Sequence, residues 1–187
     1  MLKDIDRILL SEEQLQGKVK ELAARINEDY KDKDPMFIVI LKGSFVFAAD
    51  LYKYITLENS IDFMVVSSYA SSAVSSGNVK IVKDVAQSIE GKDVIIIEDI
   101  VDTGHTLSNL VKLLKERNPA SIEICSCVDK PERRVVPVDV KYKGFEVENE
   151  FIVGYGLDYA EKYRNLPFIG VLKREVYEKW IKICNFT

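Results

Sequence analysis

Apolar and polar positions along this chain follow two different rhythms, and the rhythm changes repeatedly from one segment to the next. Ser11 and Gln14 stand at capping-box spacing, and Leu15, Val19, Leu22 and Ile26 then recur at steps of three or four. That spacing predicts a helix ending near Tyr30 and the Lys31–Pro35 turn. Phe37–Leu41 is a continuous β-prone run, too short for a buried helix and closed by Lys42-Gly43, and it predicts a strand. Phe45–Ile55 predicts a second helix and Ile61–Val66 a second strand, while Val79, Ile81 and Val85 alternate with polar residues as in a half-buried strand. Val94–Ile97 is wholly apolar, the pattern of a central parallel strand covered on both faces. After Gly104, the residues Leu107, Leu110, Val111 and Leu114 form one helical face, stopped by Asn118-Pro119. Ile122–Val128, Val136–Tyr142 and Phe151–Val153 predict further strands, and Val176–Ile183 a short terminal helix.

Continuous apolar strands alternating with amphipathic helices predict an α/β fold with a mostly parallel central sheet flanked by helices. In such sheets ligands bind beyond the carboxyl ends of the strands, so the residues that follow each apolar run are where chemistry is expected. One segment departs from the core pattern. Ser67–Asn78 holds six serines in twelve residues between two predicted strands. It reads either as a loose hairpin connection or as a lid able to close over a reaction and exclude water.

Composition narrows the classes. The chain has 187 residues, near the length of one domain, so residues 1–187 are expected to form a single unit. Lys and Arg total 26 against 30 Asp and Glu, a net charge of −4 that disfavours a nucleic-acid partner. The longest apolar runs, Met36–Leu41 and Val94–Ile97, fall far short of the ~20 residues that span a bilayer, so no membrane partner is expected. Residues Met1–Arg7 alternate charged and apolar groups, unlike the apolar core of a signal peptide. Of three cysteines, Cys125 and Cys127 sit one residue apart on a predicted strand, poor geometry for a disulfide. With Cys184 they read as packing cysteines in a reducing, cytoplasmic compartment.

The strongest chemical signal is Val94–Leu107, where an apolar strand runs into Glu98 and Asp99, then Asp102, then Thr103-Gly104-His105-Thr106 and a helix. Three carboxylates within five positions repel one another and are costly to desolvate, which a fold rarely keeps for stability alone. Thr103–Thr106 offers hydroxyls and backbone N–H groups at a helix N-terminus, a ready anion site. Carboxylates beside an anion cradle suit a sugar phosphate; the alternative is a solvated turn capped by Asp and Thr. No Walker A loop, dinucleotide fingerprint or G-x-S-x-G elbow occurs, and the single histidine, His105, cannot alone make a zinc site.

Glu98-Asp99-Ile100-Val101-Asp102-Thr103-Gly104 resembles the phosphoribosyl-pyrophosphate motif of type I phosphoribosyltransferases. Other segments narrow the resemblance to the hypoxanthine-guanine phosphoribosyltransferases. Leu41-Lys42-Gly43-Ser44 is similar to the family's pyrophosphate loop, and Ser68-Tyr69 with Ser76-Gly77 to its flexible catalytic loop. Val128-Asp129-Lys130-Pro131 puts a lysine where the family contacts the purine, and Phe151–Tyr159 with Arg164 resembles the purine and pyrophosphate end of the site. The resemblance runs from roughly Asp4 to Leu172. His105 departs from the lysine of the mammalian enzymes, which leaves the backbone cradle intact.

The resemblance implies the type I phosphoribosyltransferase fold with a small hood built from the terminal segments. It implies transfer of a 5-phosphoribosyl group from phosphoribosyl pyrophosphate to N9 of hypoxanthine or guanine, with Mg²⁺ as cofactor and a homodimer or homotetramer as the assembly. By resemblance, Asp102 is the general acid/base at purine N7. Glu98, Asp99, Thr103, Gly104, His105 and Thr106 hold the phosphoribosyl group, with Glu98, Asp99 and Asp158 toward metal. Lys42, Gly43 and Arg164 take pyrophosphate, Lys130, Phe151, Ile152 and Asp158 the base, and Ser68 and Tyr69 close over the donor. Taken alone, Phe151 also reads as an ordinary core strand residue, His105 as a solvent-facing loop residue and Lys130 as a surface lysine. Two other readings are a nucleotide-sensing regulator on the same fold and a transferase that also uses xanthine.

Overall fold

The computed structural model describes residues 1–68 and 79–178. Strand β1 (Ile5–Leu10) leads into helix α1 (Glu12–Asp29), β2 (Met36–Leu41), α2 (Phe45–Tyr52) and β3 (Ser60–Ser68). Then follow β4 (Val79–Lys83), β5 (Asp93–Val101), α3 (His105–Lys115), β6 (Ser121–Asp129), β7 (Tyr142–Glu146), β8 (Ile152–Val153) and β9 (Ile169–Leu172). Six strands form the central sheet in the order β4-β3-β2-β5-β6-β7. Only β4 runs antiparallel to its neighbour; the other pairs are parallel. The expected mostly parallel sheet flanked by helices is therefore present.

The continuous apolar runs are explained by the pleat. Alternate residues point to opposite faces. Phe37, Val39, Ile95 and Ile97 pack with Leu15, Leu22 and Ile26 of α1 and Phe47 and Leu51 of α2, while Ile38, Ile40, Val94 and Ile96 pack with Leu107, Leu110 and Leu114 of α3. Both faces of β2 and β5 are covered, so no polar position is tolerated until each strand leaves the core. Helix α1 starts where predicted: Ser11 Oγ accepts from the Gln14 amide at 3.2 Å and Gln14 Oε1 accepts from the Ser11 amide at 2.8 Å.

Both ends of the chain contribute a smaller three-stranded sheet, β1-β9-β8, antiparallel throughout. This is the hood. Neither β1 nor β9 shows the clean alternation that would have announced it; β1 reads IDRILL and β9 only IGVL.

Several expectations need correction. Val136–Tyr142 forms no strand; β7 begins at Tyr142. Pro137 offers no amide, and the Val135 and Val136 amides donate to the Thr103 carbonyl at 3.0 Å each instead of to a sheet partner. This segment belongs to a strap, residues 130–141, laid over the end of β5, with Val138 and Val140 packed on the α3-side core. Helix α2 stops at Tyr52 rather than Ile55, β4 at Lys83 before Val85, and β5 continues past Ile97 to Val101. A helix covers residues 174–178, so the predicted Val176–Ile183 helix starts two residues earlier than expected, and its remainder lies outside the described residues. Cys125 and Cys127 are buried, free and packed in the core as expected, whereas Cys184 lies outside the described residues. Among the described residues no helix is long and apolar enough to cross a membrane.

Ile96 is fully buried at the centre of the sheet. Ile96→Ala is expected to cost ~2–5 kcal/mol, since a close-packed core collapses poorly around a deleted side chain. Equilibrium urea unfolding measures it, and a loss under ~1 kcal/mol would mean this layer is not packed as described.

Candidate active site

Strand β5 delivers the chemistry. It leaves the core at Glu98 and Asp99, stays paired with β6 through Val101, and turns at Asp102-Thr103-Gly104 into α3. Gly104 sits at φ +86°, a left-handed conformation that L side chains rarely adopt, and a Cβ there would run into the Val136 carbonyl. The turn is held from behind by the strap: Lys130 N–H donates to the Val101 carbonyl at 2.9 Å, and Arg134 Nε to the Asp102 carbonyl at 2.9 Å.

Two cavities meet at this turn. One, of 480 Å³, is lined by Asp99, Ile100 and Asp102 on one side and by Lys130, Arg133, Asn149, Phe151, Ile152, Leu157, Asp158 and Tyr177 on the other. The second, of 280 Å³, is lined by Gly43, Glu98, Asp99, Asp102, Thr103, Gly104 and Thr106. Asp99, Ile100 and Asp102 are common to both. The turn thus forms the partition between a half-apolar chamber and an acid-and-hydroxyl chamber.

Three backbone segments converge on Asp99. A Cβ on Gly43 would overlap the Asp99 carboxylate, and one on Gly156 would overlap the Gly43 carbonyl. Small residues here let the loop after β2 and the turn after β8 touch the end of β5. The Leu41–Lys42 peptide in that loop is cis.

Burial dominates the electrostatics of the strand end. It raises the Glu98 pKa well above the ordinary 4.5, reinforced by the neighbouring Asp99 charge. It also pushes Asp99 up to about 6, against hydrogen bonding from its own amide and that of Ile100 and against the Arg164 charge. Asp102 instead faces a cation. Its Oδ1 lies 2.6 Å from Arg133 Nε, and that buried oxygen has no aligned hydrogen-bond donor.

The other predicted residues are placed as follows. Lys130 is buried; its Nζ donates to the Glu150 carbonyl at 2.5 Å, leaving two of three donors for the cavity it lines. Desolvation lowers its pKa, opposed by Asp102. Phe151 is partly exposed, with Tyr177 stacked on it at 4.8 Å and Tyr159 edge-on at 5.5 Å. Ile152 is buried beside it in β8. Arg164 pairs with Asp158 at 2.8 Å, donates to the Gly156 carbonyl at 2.8 Å, and keeps a buried, unpartnered Nε. Lys42 and Arg164 both reach Glu161, at 3.1 and 3.5 Å. His105 is exposed at the start of α3. Ser68 ends β3, while Tyr69 and the rest of the serine-rich loop lie outside the described residues. Arg133, Asn149, Glu161 and Tyr177 were not foreseen. Nothing local marks them, because each reaches the site through the strap, the hood or a later turn.

Among the described residues no three His, Cys, Asp or Glu side chains are grouped to hold a metal by themselves. Glu98 and Asp99 nonetheless present oxygen ligands whose ionised forms burial disfavours, a donor set that fits a hard cation bringing its own waters and ligand oxygens.

A phosphoribosyl transferase domain model matches residues 8–160. The hypoxanthine-guanine phosphoribosyltransferase of Bacillus subtilis is 54% identical over 95% of this chain and 99% of its own length. A hypoxanthine phosphoribosyltransferase crystal structure from Staphylococcus aureus superposes with TM-score 0.92 at 51% identity, covering 95% of this chain and 96% of that one. A Trypanosoma cruzi hypoxanthine phosphoribosyl transferase, described for the role of its C-terminal region in oligomeric state and enzymatic activity, gives 0.91 at 39% identity, covering 96% and 97%. The chain belongs to the phosphoribosyltransferase family and, within it, to the hypoxanthine-guanine phosphoribosyltransferases.

The raised acid pKa has a sign that can be tested on metal-free protein. Asp99 has an ordinary pKa of 3.8 and about 6 in the fold, so between those values the folded state binds the extra proton. Stability therefore falls as pH rises from 3.8 through about 6. Asp99→Asn keeps an acceptor for the Ile100 amide but removes the charge. It is expected to raise stability by ~1–2 kcal/mol at pH 7.5 and by almost nothing at pH 4, read from urea unfolding at both. An equal effect at the two pH values would show that Asp99 is not the strained group.

Proposed function

We propose that this chain is a purine salvage enzyme that transfers the 5-phosphoribosyl group of phosphoribosyl pyrophosphate to N9 of hypoxanthine or guanine, giving IMP or GMP and pyrophosphate. Family membership supports the reaction. The observation that carries it at the level of residues is Asp102, which lines both cavities and whose Oδ1 pairs with Arg133 at 2.6 Å.

The division of labour follows the two chambers. The base occupies the larger one, between Ile100 and Phe151, with its 6-oxo group toward Lys130 and its edge along Ile152 and Asp158. Asp102 holds or moves the proton at purine N7. Glu98 and Asp99 hold the ribose hydroxyls, and their charge favours the positive charge that grows on the sugar as the C1–pyrophosphate bond breaks. The Thr103 and Thr106 hydroxyls and the backbone of Gly104 and His105 wrap the 5′-phosphate at the α3 N-terminus. Lys42, Gly43 and Arg164 receive pyrophosphate. Ser68 and Tyr69 close over the donor. Glu98, Asp99 and Asp158 would hold Mg²⁺, directly or through water, and the bound ion would supply charge neutralisation for the leaving pyrophosphate.

We also propose that residues 1–187 act as one phosphoribosyltransferase domain, working in the cytoplasm as a homodimer or homotetramer. The buried free Cys125 and Cys127 support a reducing compartment.

The test is a panel of hypoxanthine, guanine, xanthine and adenine assayed with phosphoribosyl pyrophosphate and Mg²⁺. Hypoxanthine and guanine are expected to be used. Adenine, whose 6-amino donor would face the Lys130 ammonium, is expected to fall at least ~10³ below them in kcat/KM. No nucleotide from either oxo-purine would overturn the proposal, and adenine turnover within about tenfold would remove Lys130 from base choice. Asp102→Asn is expected to lower kcat by ~10²–10⁴ with little change in donor affinity, the range for lost general acid/base help. A kcat within about threefold of the parent would assign the proton transfer elsewhere.

A further inference from the structure

A partly buried arginine outside both cavities ties them together. The Arg134 side chain is 17% exposed, and its guanidinium uses all three nitrogens. Nε donates to the Asp102 carbonyl at 2.9 Å, Nη1 to the Val138 carbonyl at 3.4 Å, and Nη2 to the Val101 carbonyl at 3.2 Å and to the Asp129 carboxylate. Asp129 is almost wholly buried at the end of β6, immediately before Lys130, and takes a second cation from Lys143 at 3.2 Å. One side chain therefore bridges the carboxyl ends of β5 and β6.

We infer that Arg134 is the positioning residue of this site: by clamping the Val101 and Asp102 carbonyls to Asp129, it fixes Asp102 and aims the amides of the phosphate cradle. The inference rests on the proposed reaction and deepens it. The peptide unit is planar and trans, so its N–H points opposite to its carbonyl. Anchoring the Asp102 carbonyl on Arg134 points the Thr103 amide the other way; anchoring the Thr103 carbonyl on the Val135 and Val136 amides does the same for the Gly104 amide. An anion cradle whose donors are fixed in advance gains from every bond it makes with the ligand, whereas a loose one must first be ordered. The planar guanidinium matches this geometry with a fixed fork of donors. A lysine ammonium must make all its bonds from one nitrogen, so it cannot reproduce bonds that leave Arg134 from three separate nitrogens.

The experiment compares the full-length protein with Arg134→Lys, which keeps a cation beside Asp129, and with Asp129→Asn, which keeps the guanidinium–carbonyl bonds. The pyrophosphate residues Lys42 and Arg164 make no contact with Arg134 and serve as the internal control. Arg134→Lys is expected to lower both kcat and IMP affinity by at least ~10-fold, because small misplacements of reacting groups cost that much. Pyrophosphate affinity should stay within about twofold, and Asp129→Asn should show a smaller loss of the same kind. In ligand-free protein, amide hydrogen exchange at Lys130, Val135 and Val136, which donate to the Val101 and Thr103 carbonyls of the turn, should quicken at least ~10-fold in Arg134→Lys, a readout that needs no catalytic activity. Exchange, kcat and IMP affinity all within about threefold of the parent would overturn the inference. So would a parallel loss of pyrophosphate affinity, which would mark a general loss of structure. Should the parent form no IMP, the proposed reaction fails, and the exchange comparison still decides the role of Arg134.

Discussion

The cost of desolvating carboxylates at the end of a buried strand organises this molecule. Val94–Ile97 are sealed on both faces, and the same strand then presents Glu98 and Asp99, whose ionised forms the surroundings disfavour. Nothing in the apolar core compensates that charge. It is relieved from outside, by backbone amides, by the field of Arg164 and, in the proposed reaction, by a divalent cation and a sugar acquiring positive charge. A strand end optimised for stability would not carry these residues; one built to hold a cationic transition state must carry them.

The rest of the architecture keeps that strand end open yet fixed. The loop after β2 and the turn after β8 approach so closely that glycine is required at Gly43 and Gly156. The hood closes the opposite wall with Phe151 and Ile152, and it is assembled from both ends of the chain, so β1 contributes to the site only by supporting β9 and through it β8. The strap from Lys130 to Lys141 supplies no strand; it satisfies the carbonyls of the acid-bearing turn. Each of these elements is explained by where it meets β5.

How much could be read beforehand follows from the range of the interactions. The acid-and-hydroxyl motif from Glu98 to Thr106 was legible because its chemistry is contiguous, and the alternating helix and strand rhythms were legible because burial on both faces leaves continuous apolar runs. Val136–Tyr142 misled because a strap that packs Val138 and Val140 against the core alternates as a strand does, and only its hydrogen-bond partners differ. Lys130, Phe151 and Arg164 could be singled out only through family resemblance. Arg133, Arg134, Glu161 and Tyr177 carried no signal, since what they do is set by residues distant in sequence. The pairing of β1 with β9 was equally silent, spanning almost the whole chain.

Magnitudes divide the site into parts a ligand rearranges and parts it cannot. The Lys42–Glu161 pair is exposed on both sides, 66% and 65%, and pairs of that kind contribute ~0–1 kcal/mol. Glu161 therefore occupies Lys42 only weakly, and under the proposed assignment an incoming polyanion would displace it at little cost. The Arg134–Asp129 pair is buried, and removing one partner of such a pair typically costs ~3–5 kcal/mol. Ligand binding does not supply a reason to break it. In the proposed reaction the weak Lys42–Glu161 pair lies where pyrophosphate would enter and leave, and the strong one lies under the turn that would stay fixed while the bond to C1 is exchanged. That ordering of strengths would let one small site release a charged product and still hold its reacting groups in register, as the proposed reaction requires.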